Sequence, residues 1–255
     1  MHDAPIINLS GFHLDLSAVL MLLVTMIIVF VLCWLATRKL SVENPSKIQN
    51  FMEWIVEFVQ GIIGSAMDSK KGRPYLSLGL TLILFIFVSN LLGLPLGIAT
   101  EADHPVTIFG QEIVATQNLT GGAHAEIMWW KSPTADISVT AGLALIVFIL
   151  MNYLGIKHNR KHYFKHYIEP FPIFLPLNII ENLSKPIALA IRLFANIFAG
   201  EVLITVILKL KFIGIPFMGL WQGFSVFVGG LQAYIFTILT MVYIAQYTIH
   251  DEEAH

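Results

Sequence analysis

The sequence has little charge: Asp, Glu, Lys and Arg make up only 13% of its 255 residues, whereas 56% are hydrophobic. A soluble domain typically has about a quarter charged residues. The apolar residues gather in runs of about 20 or more, the length of helix that crosses a bilayer. The composition therefore excludes a soluble globular protein and indicates an integral membrane protein. The net charge of −2 says nothing about nucleic acid, and for an integral membrane protein we expect no nucleic-acid partner.

Cysteine is almost absent, and so are the motifs of common enzymes. The single Cys33 lies within an apolar run and has no second cysteine for an internal disulfide. The sequence contains no G-x-x-x-x-G-K-[ST], H-E-x-x-H or G-x-S-x-G motif, which would indicate phosphate binding, zinc chemistry or a serine nucleophile. We therefore expect a non-catalytic chain without a cofactor.

Two groups of residues resemble metal sites only weakly. The first group has helical spacing and consists of His158, His162 and His166. The second group lies in one loop and consists of Asp103, His104, His124 and Glu126. A basic segment that meets lipid or a partner subunit explains the first group better. We expect no metal.

Five apolar segments are predicted to cross the membrane within a single membrane domain, 1–255; they are 17–36, 77–98, 137–156, 175–210 and 212–246. The last two contain about 35 residues each, or roughly 50 Å of helix, whereas the hydrocarbon core is about 30 Å thick. Such segments either break, with Pro186 as a candidate kink, or tilt. We expect an all-α membrane protein in which they form a long, steeply tilted hairpin.

The distribution of Lys and Arg predicts the orientation of these segments. Six of these residues lie between the first and second segments and four between the third and fourth, but the loop 99–135 contains only Lys131. Because basic loops tend to stay in the cytoplasm, loop 99–135 is predicted to be external. The N-terminus is then outside and the C-terminus is cytoplasmic. No basic residue precedes the first segment, which is the reverse of a signal peptide.

Segment 46–66 has a different pattern. Its apolar residues recur at helical spacing on one face and its polar residues occupy the other, and Asn44-Pro45 precedes it as a start signal. This pattern predicts an amphipathic helix that lies on the cytoplasmic surface. Packing on the chain's own cytoplasmic loops explains the pattern equally well.

Polar residues interrupt the fourth segment at regular spacing. At about 100° per residue, one face carries Glu181, Lys185, Arg192 and Asn196. Glu201 lies nine positions after Arg192, a rotation of about 900°, and is predicted to face the opposite way. The segment therefore has two polar faces with different surroundings.

Arg192 is the most costly residue of this stripe. A charged side chain near the bilayer centre costs between ~3 and more than ~10 kcal/mol, and arginine cannot escape by losing its proton. Glu181 lies ~16 Å from Arg192 along the helix axis and is better placed to pair with Lys185, four residues on. A structural ion pair within this helix does not explain Arg192, and its anionic partner is expected from another chain.

The fifth segment offers neutral polar groups to this helix. Ser225, Gln232 and Gln246 are separated by multiples of seven and share a stripe, and Gly229 and Gly230 permit close backbone approach. Such groups serve either as packing contacts between membrane helices or as parts of an ion path. Spacing alone leaves both alternatives open.

Several stretches of the sequence resemble subunit a of the Fo sector of bacterial F-type ATP synthases. They are IRLFANIFAGE, LQAYIFTILTMVYIAQ, FVSNLLGLPLG, MEWIVEF and WWKSPTAD. The resemblance covers nearly the whole chain except the N-terminus and the middle of the external loop. It implies a proton-translocating stator in the bacterial cell membrane. Its implied partners are the c-subunit ring, the b subunits of the peripheral stalk, the remaining ATP synthase subunits and membrane lipid.

The resemblance also implies roles for individual residues. Arg192 would face the c-ring carboxylate, keep it ionised and separate two half-channels. Gln232 and Asn196 match positions that line the same region, and Glu201 matches the glutamate of the external half-channel. Two further polar positions are candidates for lining the channel, Asn90 and Asp136.

This sequence departs from the family pattern at two positions. Many members have glycine where Ala195 stands, and some pair the channel glutamate with a histidine at the position of Ser225. Without that histidine, water together with Ser225 is expected to relay the proton.

Two other functions compete with this one. An ion-coupled secondary transporter predicts an internal repeat and a binding carboxylate near the midplane, and the sequence shows neither. A structural membrane scaffold leaves the charge of Arg192 unexplained.

Overall fold

The computed structural model describes residues 5–9, 12–93, 99–102, 107–108, 111–112, 125–168, 171–211 and 214–248. The helices in chain order are α1 (Leu16–Thr37), α2 (Lys47–Ala66), the single turn α3 (Ser69–Gly72), α4 (Leu76–Leu92), α5 (Ile137–Ile168), α6 (Leu175–Lys209) and α7 (Gly214–Thr248). Short 3₁₀ turns precede three of them, at Arg73–Tyr75, Pro133–Ala135 and Pro172–Phe174.

Five helical stretches are long and apolar enough to cross a membrane. They are Leu16–Thr37, Lys70–Leu92, Ile137–Lys157, Leu175–Lys209 and Gly214–Gln246. These helices confirm the predicted all-α membrane fold. Asp15 begins the first of them, because its carboxylate accepts hydrogen bonds from the backbone N–H groups of Ser17 at 2.9 Å and Ala18 at 3.3 Å.

Two helices end at positions that differ from the predicted segment boundaries. α5 continues past residue 156 to Ile168, since no glycine or proline follows Gly155 until Pro170. α4 ends at Leu92, where Gly93 forms the C-cap. Residues 94–98, which the sequence assigns to the same segment, lie outside the described residues.

The last two long helices form an antiparallel hairpin, and each contains 35 residues without interruption. α6 continues through Pro186, since a proline removes a single backbone donor while its neighbours keep their helical pairing. After α6 the chain turns at Lys211, whose φ of 51° is left-handed. At Gly214 a Cβ atom would lie 2.4 Å from the carbonyl oxygen of Ile207, so this close approach requires glycine.

The amphipathic helix α2 is half inserted into the helical bundle. Ser46 caps its N-terminus by accepting a hydrogen bond from the backbone N–H of Gln49 at 3.2 Å. Its later apolar residues are buried against α4 and α7; they are Val59, Ile62 and Ile63. Its earlier aromatic residues stay exposed and contact one another in order along the helix; they are Phe51, Trp54 and Phe58. α2 therefore packs on the chain's own membrane helices, and its Gln49 also binds the loop before it, at Ser41.

The bundle core forms where α4 packs on α7 and α5 packs on α6. Its most deeply buried side chains include Ile86, Leu189, Leu193, Met241 and Ile244. Gly79 lets α4 approach its neighbours, since a Cβ atom there would lie 2.8 Å from Val59 Cγ1 and 3.2 Å from Met241 Cε. This core fixes the relative positions of the helices that carry the polar residues.

Three short antiparallel ribbons lie outside the helices. They pair β1 (Ile6–Leu9) with β2 (Phe12–Asp15), β3 (Ala99–Ala102) with β6 (Ala125–Met128), and β4 (Thr107–Ile108) with β5 (Gln111–Glu112). The sequence pattern did not predict them, because two- to four-residue strands are too short to show a periodicity.

Candidate functional site

Polar residues of α6 and α7 meet at three levels along the hairpin. At one end, Lys185 Nζ donates to Gln246 Oε1 at 3.3 Å. In the middle, Gln232 Nε2 donates to the backbone oxygen of Arg192 at 3.2 Å. At the third level, Asn196, Glu201 and Ser225 line one cavity. The stripe predicted on the fifth segment therefore faces α6 along its whole length.

The cavity at the third level has a volume of about 80 Å³ and lies between α4, α6 and α7. Its lining consists of Asn90, Gly93, Asn196, Ile197, Ala199, Gly200, Glu201, Ile204, Trp221, Phe224, Ser225 and Val228. Asn196 and Glu201 thus border the same space, although helical spacing placed them on opposite faces. The cavity extends around a wide arc of α6, and Arg192, from which Glu201 is predicted to face away, is not part of its lining.

Arg192 is exposed on α6 and does not line the cavity. Gln232 binds its backbone oxygen, so the guanidinium is not used in this contact between the two helices. Among the described residues, no carboxylate forms an ion pair with Arg192. The predicted pair of Glu181 and Lys185 is confirmed, with Oε1 and Nζ 3.6 Å apart.

Asn90 joins three parts of the chain at the cavity wall. It is 1% exposed, and its Nδ2 donates to the backbone oxygen of Gly229 at 3.1 Å. Its Oδ1 accepts from Thr134 Oγ1 at 2.7 Å, and Thr134 in turn contacts Ser132 Oγ at 2.6 Å. Asn90 therefore fixes α7 and the start of α5 against α4.

Asp136 lies at the start of α5 and is not part of the cavity lining. Its Oδ1 accepts a hydrogen bond from the backbone N–H of Ser138 at 2.8 Å. This contact satisfies one of the unpaired donors at the beginning of a helix. The geometry gives Asp136 the role of a helix cap.

The N-terminal ribbon is tied to the segment before α5 by an ion pair of Asp15 with Lys131. Burial alone would raise the pKa of Asp15, but the contact with Lys131 and the hydrogen bonds of Ser17 and Ala18 hold it below its usual range. The charge of Lys131 also attracts the carboxylate of Glu201 through space. Lys131, in the segment before α5, is therefore close enough to act on this side of the cavity.

Comparison with known proteins assigns these features to a family. The sequence profile of the ATP synthase A chain matches residues 19–245. The chain is 43% identical to ATP synthase subunit a of Anoxybacillus flavithermus over 259 residues, which cover 98% of this chain and 99% of that protein. The chain belongs to the ATP synthase A chain family.

Other members of the ATP synthase A chain family agree over the same extent. Subunit a of Bacillus velezensis is 42% identical and that of Staphylococcus aureus 41% identical, each covering 98% of this chain and 99% of the relative. Membership of this family makes the chain a multi-pass membrane component of an ATP synthase. Proton transport and ATP synthesis are the processes in which this family acts.

The prediction from the sequence missed Trp221 as part of this family member's site. Its indole lines the cavity, and its Nε1–H is buried without a hydrogen-bond partner among the described residues. Helical spacing contained the signal, because Trp221 lies four residues before Ser225 and eleven before Gln232 on the same face. A tryptophan in a membrane helix is usually interpreted as an interfacial anchor, which hides a polar role.

The structure does not test the two groups that resemble metal sites only weakly. Asp103, His104 and His124 lie outside the described residues, as do the side chains of Glu126 and of His158, His162 and His166. Within the described part of the chain, no group of three or more His, Cys, Asp or Glu residues is arranged to hold a metal ion.

Proposed function

We propose that this chain is the non-catalytic, proton-translocating stator subunit of the Fo sector of ATP synthase. In this proposal it supplies two half-channels and an essential arginine, Arg192, that faces a carboxylate of the c-subunit ring. The observation that carries the proposal is the exposed position of Arg192 on α6, where no carboxylate among the described residues pairs with it. Asn196, four residues further along α6, lines the cavity together with Glu201. The family supports it, since the relatives are subunits of ATP synthase.

Arg192 performs its role by electrostatics. Its positive charge cannot be lost by deprotonation, so an arriving carboxylate is stabilised in its ionised form and must give up its proton before it passes. A permanent cation also repels protons, which prevents a direct leak between the two half-channels. Gln232 holds the backbone at Arg192 against α7 and leaves the guanidinium for the partner.

The cavity between α6 and α7 is the candidate outer half-channel. Among the described residues that line it, Glu201 is the one with an ionisable side chain that titrates as an acid, so it is the group that takes up and passes on protons there. Asn196 and Ser225 add an amide and a hydroxyl that hold water in the path. Ser225 and water replace the histidine of other family members, whereas Asn90 lines the outer wall and Asp136 supports it from the start of α5.

The proposal extends to the placement of the chain in the membrane. The chain lies in a bacterial cell membrane as one domain, with its N-terminus outside and its C-terminus in the cytoplasm. Helices α6 and α7, each roughly 50 Å long at 1.5 Å per residue, tilt steeply to fit a core of about 30 Å. The c-subunit ring packs on the Arg192 side of α6, the b subunits and the remaining ATP synthase subunits bind elsewhere, and lipid covers the exposed apolar faces.

The test is replacement of the charge in the assembled ATP synthase in membrane vesicles. Arg192→Ala should abolish ATP synthesis driven by a proton gradient and leave a passive proton leak. Arg160→Ala, at an exposed arginine of α5 beyond its apolar stretch, is the matched control and should synthesise ATP at the wild-type rate. Normal synthesis by Arg192→Ala would contradict the proposal.

A further inference from the structure

Trp221 contributes a buried hydrogen-bond donor to the cavity wall. Its indole lines the cavity with Glu201 and Ser225 and packs on Phe224 with ring centroids 5.3 Å apart. The Nε1–H is buried and has no partner among the described residues. Buried tryptophan N–H groups usually find a hydrogen-bond partner, so this donor indicates a molecule held in the cavity.

Water is the molecule that this cavity suits. A volume of about 80 Å³ admits several water molecules. The lining residues Glu201, Asn196 and Ser225 carry a carboxylate, an amide and a hydroxyl, and Trp221 belongs to the same lining. A water here finds the two to four polar partners that an ordered buried water needs.

We infer that Trp221 is a positioning residue of the outer half-channel, where its indole N–H holds and orients the water that delivers protons to Glu201. This inference rests on the proposed function of Glu201. An indole N–H only donates, so the water accepts that bond and keeps both of its own hydrogens for other partners. An ionised carboxylate only accepts, so one of those hydrogens is directed to Glu201.

The proton transfer balances at this water. A hydronium ion on the outer side gives a proton to the water oxygen, which forms one new O–H bond. The same water gives one of its original protons to a carboxylate oxygen of Glu201, which breaks one O–H bond and forms the carboxylic acid. The water is regenerated, and the indole keeps its own proton throughout because it is a donor only.

The test compares two replacements of Trp221 in the complete ATP synthase, reconstituted in vesicles at an external pH of about 8, where an introduced histidine is largely neutral. Trp221→Phe keeps an aromatic ring but has no N–H, whereas Trp221→His is smaller but keeps a ring N–H donor. At equal assembly, we expect Trp221→Phe to lower proton flux about tenfold. Trp221→His should recover at least about a third of the wild-type flux. A tryptophan that serves only for packing gives the opposite order, because phenylalanine fills the space better.

Trp54→Phe is the matched control, since Trp54 is 63% exposed on α2 and does not line the cavity; it should keep wild-type flux. Wild-type flux in Trp221→Phe overturns the inference, as does a Trp221→His flux no higher than that of Trp221→Phe. If Trp221→Phe does not assemble, an ultraviolet resonance Raman difference spectrum between wild type and Trp221→His decides. A hydrogen-bonded indole N–H supports the inference and an unbonded one overturns it.

A parallel measurement on the Arg192→Ala variant in the same vesicles distinguishes failure of this inference from failure of the proposed function. If Arg192→Ala still synthesises ATP, the proposed function fails and the inference fails with it. If Arg192→Ala is inactive and Trp221→Phe conducts like the wild type, only the role of Trp221 is overturned.

Discussion

Gln232 Nε2 donates a hydrogen bond of 3.2 Å to the backbone oxygen of Arg192. The bond joins α7 to α6 at the position of the arginine but does not engage the guanidinium. A backbone acceptor holds the helix at this level whichever way the arginine side chain turns. The contact therefore separates two tasks, since it fixes the helix and leaves the positive charge available to a partner.

We predict that Gln232→Leu weakens proton transport without abolishing it. The change removes one hydrogen bond, worth about 0.5–1.5 kcal/mol. The position of α6 relative to α7 is then less well fixed at Arg192, but the positive charge of Arg192 is still present. ATP-driven proton pumping in inverted vesicles should fall several-fold but stay above that of Arg192→Ala. Gln60→Leu, at an exposed position of α2, should pump normally. If Gln232→Leu is as inactive as Arg192→Ala, Gln232 acts on the proton directly and not through the helix position.

We predict that Glu201→Gln slows proton entry and leaves assembly intact. Glutamine keeps the shape of the side chain but cannot take up and release a proton, and loss of a proton-transferring group typically lowers a rate by about a hundredfold or more. Proton flux through the membrane sector, measured with a pH-sensitive dye, should fall accordingly. Glu181→Gln is the matched control on the same helix. Glu181 Oε1 lies 3.6 Å from Lys185 Nζ, and Glu181 does not line the cavity. Unchanged flux in Glu201→Gln would remove Glu201 from the proton path.

The sequence was sufficient for features that depend on local spacing. Apolar runs identified the membrane helices, and the four-residue separation of Glu181 and Lys185 identified their ion pair. The separations of Ser225, Gln232 and Gln246 by multiples of seven residues identified a stripe that faces α6 throughout. In each case helical geometry alone places the groups.

Features that depend on distant parts of the chain were out of reach. Asn90 binds Gly229, 139 positions away, and Lys131 binds Asp15, 116 positions away. No spacing rule relates such positions, because only the packed bundle brings them together. The channel-lining role that the family resemblance suggested for Asp136 stays a prediction, and in the structure its carboxylate caps the start of α5.

We predict that Gly229 tolerates no larger residue, in contrast to the adjacent Gly230. A Cβ atom at Gly229 would lie 3.2 Å from Asn90 Cβ, whereas one at Gly230 would lie 3.6 Å from Phe87 Cε2, an ordinary contact. Gly229→Val should therefore push α7 from α4, break the Asn90 hydrogen bond and destabilise the fold by about 1–3 kcal/mol. Thermal unfolding of the purified complex in detergent measures this effect, and Gly230→Ala should unfold near the wild-type temperature. Equal unfolding temperatures for Gly229→Val and Gly230→Ala would show that the two helices do not approach this closely.

We predict that acid releases the N-terminal ribbon from the segment before α5. The pKa of Asp15 is lower in the folded chain than its usual value of about 3.9, so its ion pair with Lys131 stabilises the fold above that value. This stabilisation is lost as the pH falls through the lower, folded pKa. Hydrogen exchange at the amides of Ser17 and Ala18, corrected for intrinsic rates, should show protection at pH 6 that begins to decline below about pH 4 and disappears as the pH passes the lower, folded pKa of Asp15. Asp15→Asn cannot form the ion pair, so it should exchange faster at pH 6 and show little further change in acid. If Asp15→Asn retained full protection at pH 6, the charge of Asp15 would not be what anchors the start of α1.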